Sequence, residues 1–197
     1  MRNLETDRLL IRAFQSGDLD HFVALMEGAF GGGAPAEAYR QQVTYYGLAD
    51  VVQAQLRQPP YGDRAVVLKG TGALVGSVGF VPCLAPFGQL PSFGGLEGSR
   101  HTAEVGLFWA LRPDERGKGH ATEAAAAMVR FAFDELRLRR VVATTEFDNL
   151  PSIGVMRRLG MVIERNPFPI PQWFQVVGVR EYMPGRSLRG EEQLDGR

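Results

Sequence analysis

Cysteine and histidine are scarce in this sequence. Among 197 residues there is one cysteine, Cys83, and there are three histidines. A single cysteine excludes an intramolecular disulfide and a zinc site built on several thiolates. The histidines do not stand at the spacing of metal ligands, so the sequence predicts no metal.

A surplus of one charge and long apolar runs are also lacking. Lys and Arg number 22, as do Asp and Glu, so the formal net charge is zero. This balance removes the overall basic charge typical of nucleic-acid-binding proteins, although Arg137, Arg139 and Arg140 form a local basic cluster. No apolar run reaches the roughly 18 residues of a membrane span, and the acidic N-terminus is unlike a signal peptide. These absences predict a cytoplasmic protein with neither a membrane nor a nucleic-acid partner.

What is present fits an ordinary globular chain, with 45% apolar residues and 24 glycines in separate clusters. The length predicts one domain over residues 1–183 and a polar, disordered tail over 184–197. Alternating apolar runs and helical spacings predict about seven strands with helices between them, which is a mixed α/β fold of the α+β type. A hairpin is expected over 65–81, a long helix over 121–136, and a long surface loop over 82–101, which has no apolar period.

The most informative segment follows the apolar run that ends at Ala110. A loop with glycines at 117 and 119 and with basic residues leads directly into a helix. Free N–H groups and the positive end of the helix dipole suit a phosphate group, and glycine lets the backbone approach a ligand closely. The spacing matches neither the Walker loop nor the Rossmann fingerprint. A solvated glycine turn is the alternative at this point.

Four blocks of sequence together resemble the GNAT superfamily of N-acetyltransferases, in its RimJ/RimL-like branch. Arg116-x-x-Gly119-x-Ala121 matches the Q/R-x-x-G-x-G/A loop of that superfamily. The other blocks begin at Glu5, Ala103 and Asp148, and the last ends with Arg158-Leu159-Gly160-Met161. They occur in the family's order across residues 5–165, which is most of the chain.

The resemblance implies a fold and a cofactor site. It implies a mostly antiparallel central sheet whose fourth strand (103–110) and fifth strand (141–147) splay apart in a V. Acetyl-CoA would then be the co-substrate, with pantetheine against the backbone of the fourth strand and pyrophosphate on the loop. The cofactor-binding residues expected on this basis are Phe108, Trp109, Ala110, Arg116, Gly117, Lys118, Gly119, His120, Ala121, Thr122 and Asn149.

The same resemblance assigns catalytic roles. Ser152 would protonate the leaving thiolate, although Asn149 and Ser152 also suit the capping of a helix start. Glu104 would act as the base through water, with a solvent-facing carboxylate as the alternative, and Glu146 is a second candidate. RimL-like proteins carry a further Glu near residues 169–172, and this chain lacks it.

The predicted function is therefore transfer of an acetyl group from acetyl-CoA to a primary amine, either a protein N-terminus or a small molecule. Attack would be direct in a ternary complex, because Cys83 has no recognisable partner that would activate it as a nucleophile. A non-catalytic acyl-CoA-binding or sensing module is the alternative. The aromatic residues Phe168, Trp173 and Phe174, with the 82–101 segment, could line an acceptor pocket, close the core or form a homodimer contact.

Overall fold

Eight strands within residues 1–184, the part of the chain that the structure describes, form one sheet in the computed structural model. The tail predicted to be disordered lies outside the described residues from residue 185 onward. The strands are β1 (Leu4–Glu5), β2 (Leu9–Arg12), β3 (Gly62–Leu68), β4 (Leu74–Ala85), β5 (Thr102–Leu111), β6 (Arg140–Thr145), β7 (Val162–Arg165) and β8 (Val176–Glu181).

The strand order is β1-β2-β3-β4-β5-β6-β8-β7. Neighbouring strands are antiparallel apart from β5 and β6, which run parallel with Gly106 opposite Val142. Within the described residues this is the one pair between β5 and β6, so the two strands are unpaired along the rest of their lengths, as a V-shaped opening requires. The mixed, mostly antiparallel sheet is confirmed. The additional strand is β1, whose two residues are too few to show an alternating pattern.

Helices cover both faces of this sheet. Alternate residues of β5 point to opposite faces: Leu107 packs with Met128 on one face, and Ala110 packs with Phe22 on the other. In the described residues, no helix has both the length and the apolar character needed to cross a bilayer. The helices are α1 (Leu19–Phe30), α2 (Ala36–Gln55), α3 (His120–Asp134) and α4 (Leu150–Arg158).

The segment 82–101 differs from its prediction as a surface loop. Strand β4 continues to Ala85, which lies opposite Thr102 of β5, and two short 3-10 turns follow at Phe87–Gln89 and Pro91–Phe93. The side chain of Phe87 is fully buried and packs edge-on against Phe174. The prediction was wrong for this part because apolar residues on irregular backbone can fill a core without any period.

Polar contacts fix the same segment to the connection between β7 and β8. Asn166 donates to the Gln89 side chain at 2.9 Å, and Gln89 donates to the carbonyl of Ile170 at 2.9 Å. The Ser92 backbone N–H donates to the Glu164 carboxylate at 3.1 Å. Polar groups whose hydrogen bonds are satisfied in this way favour one arrangement of the backbone. Of the two neighbouring aromatic residues in this connection, Phe174 is buried and closes the core, whereas Trp173 is 54% exposed.

Candidate active site

A cleft of about 1030 Å³ lies beside the carboxyl end of β5. Its walls come from the end of α1, the end of β5, the loop before α3, the first turns of α3, and α4. The residues that line it are Ala29, Phe30, Trp109, Ala110, Leu111, Arg116, Gly117, Lys118, Gly119, Ala121, Thr122, Glu123, Ala126, Asn149, Leu150, Pro151, Ser152, Gly154, Val155 and Arg158.

The loop at one end of the cleft has the backbone form that its glycines predict. Gly117 and Gly119 have φ values of 76° and 83°, in the left-handed region that favours glycine. Gly119 is the N-cap residue of α3 and carries no side-chain capping bond. The N–H groups of the first helical turn consequently lie at the edge of the cleft, where the positive end of the dipole favours an anion.

Arg116 supports this loop through its side chain. Its Nη2 donates to the carbonyl of Gly28 at 3.2 Å and its Nε donates to the carbonyl of Leu111 at 3.4 Å. A Cβ at Gly28 would lie 2.9 Å from Pro113, so the absence of a side chain there allows α1 to approach the loop. Arg116 thus joins α1 and β5 to the loop.

His120 and Phe108 occupy places different from those of the other predicted cofactor residues. The His120 side chain is buried, with Nδ1 3.3 Å from the Glu115 carboxylate, and it does not line the cleft. The Phe108 ring stacks on Phe30 with centroids 6.1 Å apart and is also outside the lining set. A contact of Phe108 and His120 with the cofactor stays a prediction, because neither residue lines the cleft.

The start of α4 forms the opposite wall. The Asn149 side chain accepts a hydrogen bond from the Ser152 backbone N–H at 3.2 Å, so Asn149 is the capping residue. In the described part of the chain, the Ser152 hydroxyl has no hydrogen-bonding partner. Ser152 is therefore placed in the cleft wall with its hydroxyl uncommitted, and Asn149 performs the structural role that both residue types could have filled.

The two candidate bases lie outside the lining of the cleft. Glu104, at the beginning of β5, accepts a hydrogen bond from Arg140 Nε at 2.9 Å, and Arg140 lies 3.3 Å from Glu181. Glu146 is exposed and accepts from the Thr145 hydroxyl at 3.3 Å. The contact of Glu104 with Arg140 could not be read from the sequence, because the two residues are 36 positions apart.

The sequence interpretation gave no role to three residues beside the loop. Arg8 and Thr6 come from the N-terminal segment and hold Glu123 in the first turns of α3. Arg8 also donates to the carbonyl of Lys118 at 3.0 Å. Thr6 and Arg8 belong to the block that begins at Glu5, which resembles the family, but the sequence of this block does not indicate a contact with Glu123.

Metal-ligating side chains are not gathered at this site. Among residues 1–184, no group of three or more His, Cys, Asp or Glu side chains could hold a metal ion. The chemistry available here is that of backbone amides, a serine hydroxyl, carboxylates and guanidinium groups. Such groups can bind a phosphorylated thioester and move protons.

The model of the acetyltransferase (GNAT) domain matches residues 8–162, well over half of the chain. The chain belongs to the GNAT acetyltransferase family. Acetyltransferases of this family use acetyl-CoA as the acyl donor.

Individual GNAT relatives agree with the assignment. The chain is 35% identical over 104 residues to the N-acetyltransferase YnaD of Bacillus subtilis, covering 51% of this chain and 52% of YnaD, so it spans about half the length of that curated relative. The fold is similar to that of an acetyltransferase from Agrobacterium tumefaciens, with a TM-score of 0.67, 22% identity, and coverage of 92% and 95% of the two chains. It is also similar to a RimL ribosomal alpha-N-protein acetyltransferase solved in complex with coenzyme A, with a TM-score of 0.60, 15% identity, and coverage of 91% and 98%.

Proposed function

We propose that this protein transfers the acetyl group of acetyl-CoA to a primary amine, either a protein N-terminus or a small-molecule amine, in the manner of the RimJ/RimL-like branch. The observation that carries the proposal is the arrangement of the cleft, with a glycine loop at a helix start on one side and an uncommitted serine hydroxyl on the other. The cytoplasmic location expected from the sequence is part of this proposal.

The cleft suggests how each part of acetyl-CoA would be held. The pyrophosphate would lie on the N–H groups of the loop from Gly117 to Thr122, near the positive end of α3. The pantetheine arm would run along the backbone of Trp109 and Ala110, where β5 has separated from β6, much as an added strand would. Arg158, which lines the same cleft, would attract the remaining phosphate.

The chemistry requires one new C–N bond, the loss of one C–S bond, the loss of a proton by the amine and the gain of a proton by the thiolate. The neutral amine would attack the thioester carbonyl directly, and Ser152 would give a proton to the departing thiolate and regain one from water. The amine proton would pass through water to Glu104, whose Arg140 contact uses one carboxylate oxygen. Burial and the nearby Glu104 raise the pKa of the Cys83 thiol, which argues against a covalent route through this cysteine.

The base at Glu104 favours an acceptor with an α-amino group. A free α-amine has a pKa of about 7.7–8.0, whereas a lysine side chain is near 10.4. A carboxylate that already binds a guanidinium and works through water suits the amine that is more often neutral at physiological pH. Four of the structurally similar chains are named as acetyltransferases of ribosomal proteins, in line with this acceptor class.

The test begins with titration calorimetry of acetyl-CoA and continues with free-thiol release across amines and N-terminal peptides. We expect binding together with thiol release that depends on the amine, and greater release with α-amines than with lysine side chains. Binding without release from any acceptor would favour the sensing module over the enzyme. Absence of binding would refute the role of the loop at 116–121.

A further inference from the structure

Glu123 is an unexpected residue in a site that would hold phosphates. Among the described residues it is the only carboxylate that lines the cleft, and it belongs to the first turns of α3. A negative charge there stabilises the helix, but it also repels a phosphate at the same helix start. A phosphate would therefore bind here only if another group cancels the charge of Glu123.

Four donor groups, from Thr6 and Arg8, surround the Glu123 carboxylate. The Thr6 hydroxyl lies 2.5 Å from Oε1 and the Arg8 backbone N–H lies 3.0 Å from it, while Arg8 Nε and Nη2 lie 2.7 Å and 2.6 Å from Oε2. Burial alone would raise the pKa of Glu123, but these hydrogen bonds and the Arg8 charge outweigh it, and the pKa is lowered. Glu123 is therefore ionised at neutral pH, with two nitrogens of the Arg8 guanidinium against its Oε2 atom.

The same guanidinium also touches the loop. Arg8 Nη1 donates to the Lys118 carbonyl at 3.0 Å, and a Cβ added to Gly119 would lie 3.3 Å from Arg8 Nη2. The Arg8 side chain is half exposed, whereas that of Glu123 is mostly covered. One side chain, from the residue just before β2, thus connects the N-terminal segment with the loop backbone and the carboxylate of the cleft.

We infer that Arg8 is a positioning residue for the anion end of the cleft, the end formed by the loop 116–121 and the first turn of α3. Arg8 cancels the charge of Glu123 and so lets the loop accept the pyrophosphate of coenzyme A. This inference rests on the proposed function, since it takes coenzyme A as the ligand. Arg8 does not line the cleft itself and acts through Glu123 and the Lys118 carbonyl. Without Arg8, an uncompensated carboxylate would stand in the phosphate-binding end.

The test compares the dissociation constant of coenzyme A across five proteins by titration calorimetry. Arg8→Ala should weaken binding by about tenfold, the loss of one half-exposed charged contact. Arg8→Lys keeps the charge but loses the directed guanidinium contacts, so it should bind coenzyme A more weakly than the wild type but more tightly than Arg8→Ala. Glu123→Gln should bind at least as tightly as the wild type, and the double variant R8A/E123Q should recover most of the tenfold loss because no charge is left to cancel.

A matched control is available at the far end of α3. Arg2 makes an exposed ion pair with Glu135 at 2.5 Å, away from the residues that line the cleft, so Arg2→Ala should remove a surface charge contact without changing the affinity for coenzyme A. An R8A/E123Q protein as weak as R8A, or an R8K protein as weak as R8A, would overturn the charge-cancelling role. Unchanged affinity in R8A would do so as well, while leaving the proposed function intact; failure of the wild type to bind coenzyme A would instead refute the proposed function.

Discussion

The two ends of β5 differ in how their polar groups are used. At the carboxyl end, the strand leads into a loop with two left-handed glycines and a helix start without a side-chain cap. At the amino end, Glu104 is paired with Arg140, whose guanidinium lies 4.6 Å from the centre of the Phe93 ring. One end leaves backbone donors at a cleft, and the other end is closed by side chains.

This contrast follows from how each end is encoded. Glycine spacing and a helix start are local properties, so a short stretch of sequence determines the backbone of the anion end. The amino end is assembled from β5, β6, β8 and the segment around Phe93, which are far apart in the chain. An end of the second kind depends on tertiary packing, and a substitution there should change stability or turnover rather than cofactor affinity.

Phe87→Ala should have the largest effect, a loss of stability at the amino end of β5. The side chain is fully buried against Phe174, and removal of a buried aromatic ring costs about 3–5 kcal/mol. Urea unfolding should show this loss, while coenzyme A affinity in the folded protein stays within about twofold. Leu84→Ala, at a site 64% exposed on β4, is the control and should cost less than about 0.5 kcal/mol. A large loss of affinity in F87A would mean that the two ends are coupled.

Gly119→Asp should impair coenzyme A binding at the carboxyl end of β5. A non-glycine residue at φ 83° is strained by about 1–3 kcal/mol, and the new carboxylate would repel the phosphates, so coenzyme A binding should weaken by at least about 30-fold. Gly98→Asp is the control near the other end of β5, with φ 70° and open space around it. It carries the same charge and a similar strain. Equal affinities in the two variants would contradict the anion site.

The sequence was a good guide where local rules decide the structure. The loop 116–121, the helix α3 and the hairpin of β3 and β4 have strong local signals, and the family blocks place them in order. The burial of Phe87 and Leu90 could not be predicted, because irregular backbone lacks a period. The pairs Glu104 with Arg140 and Glu123 with Arg8 were missed for a related reason, since an ion pair between distant residues leaves no pattern in either segment.

A buried carboxylate near the middle of the sheet gives a pH test independent of both ends. Burial raises the pKa of Asp63 to about 6 despite a hydrogen bond from Ser77. A folded pKa above the unfolded value means that the stability contributed by protonated Asp63 is complete below about pH 3.8 and is lost as the pH rises through 6.

Asp63→Asn should therefore stabilise the protein at pH 8 and have little effect near pH 4. A pKa near 6 in place of 3.8 corresponds to about 3 kcal/mol, and an amide N–H without a partner offsets part of this gain. The expected net gain is about 1–2 kcal/mol in the free energy of unfolding at pH 8. Urea unfolding at both pH values measures it, and a gain that is the same at both would contradict the titration of Asp63.

Glu104→Gln should have the smallest effect of the four variants, and it tests whether the amino end of β5 acts in turnover but not in cofactor binding. If Glu104 receives the amine proton, the variant should lower kcat for an α-amine by about tenfold, with the affinity for coenzyme A unchanged because the anion end is untouched. Glu181→Gln is the matched control, since Glu181 contacts the same Arg140 at 3.3 Å from β8. Its kcat should remain within about twofold of the wild type. Equal losses in the two variants would assign the effect to the placement of Arg140 rather than to proton transfer at Glu104.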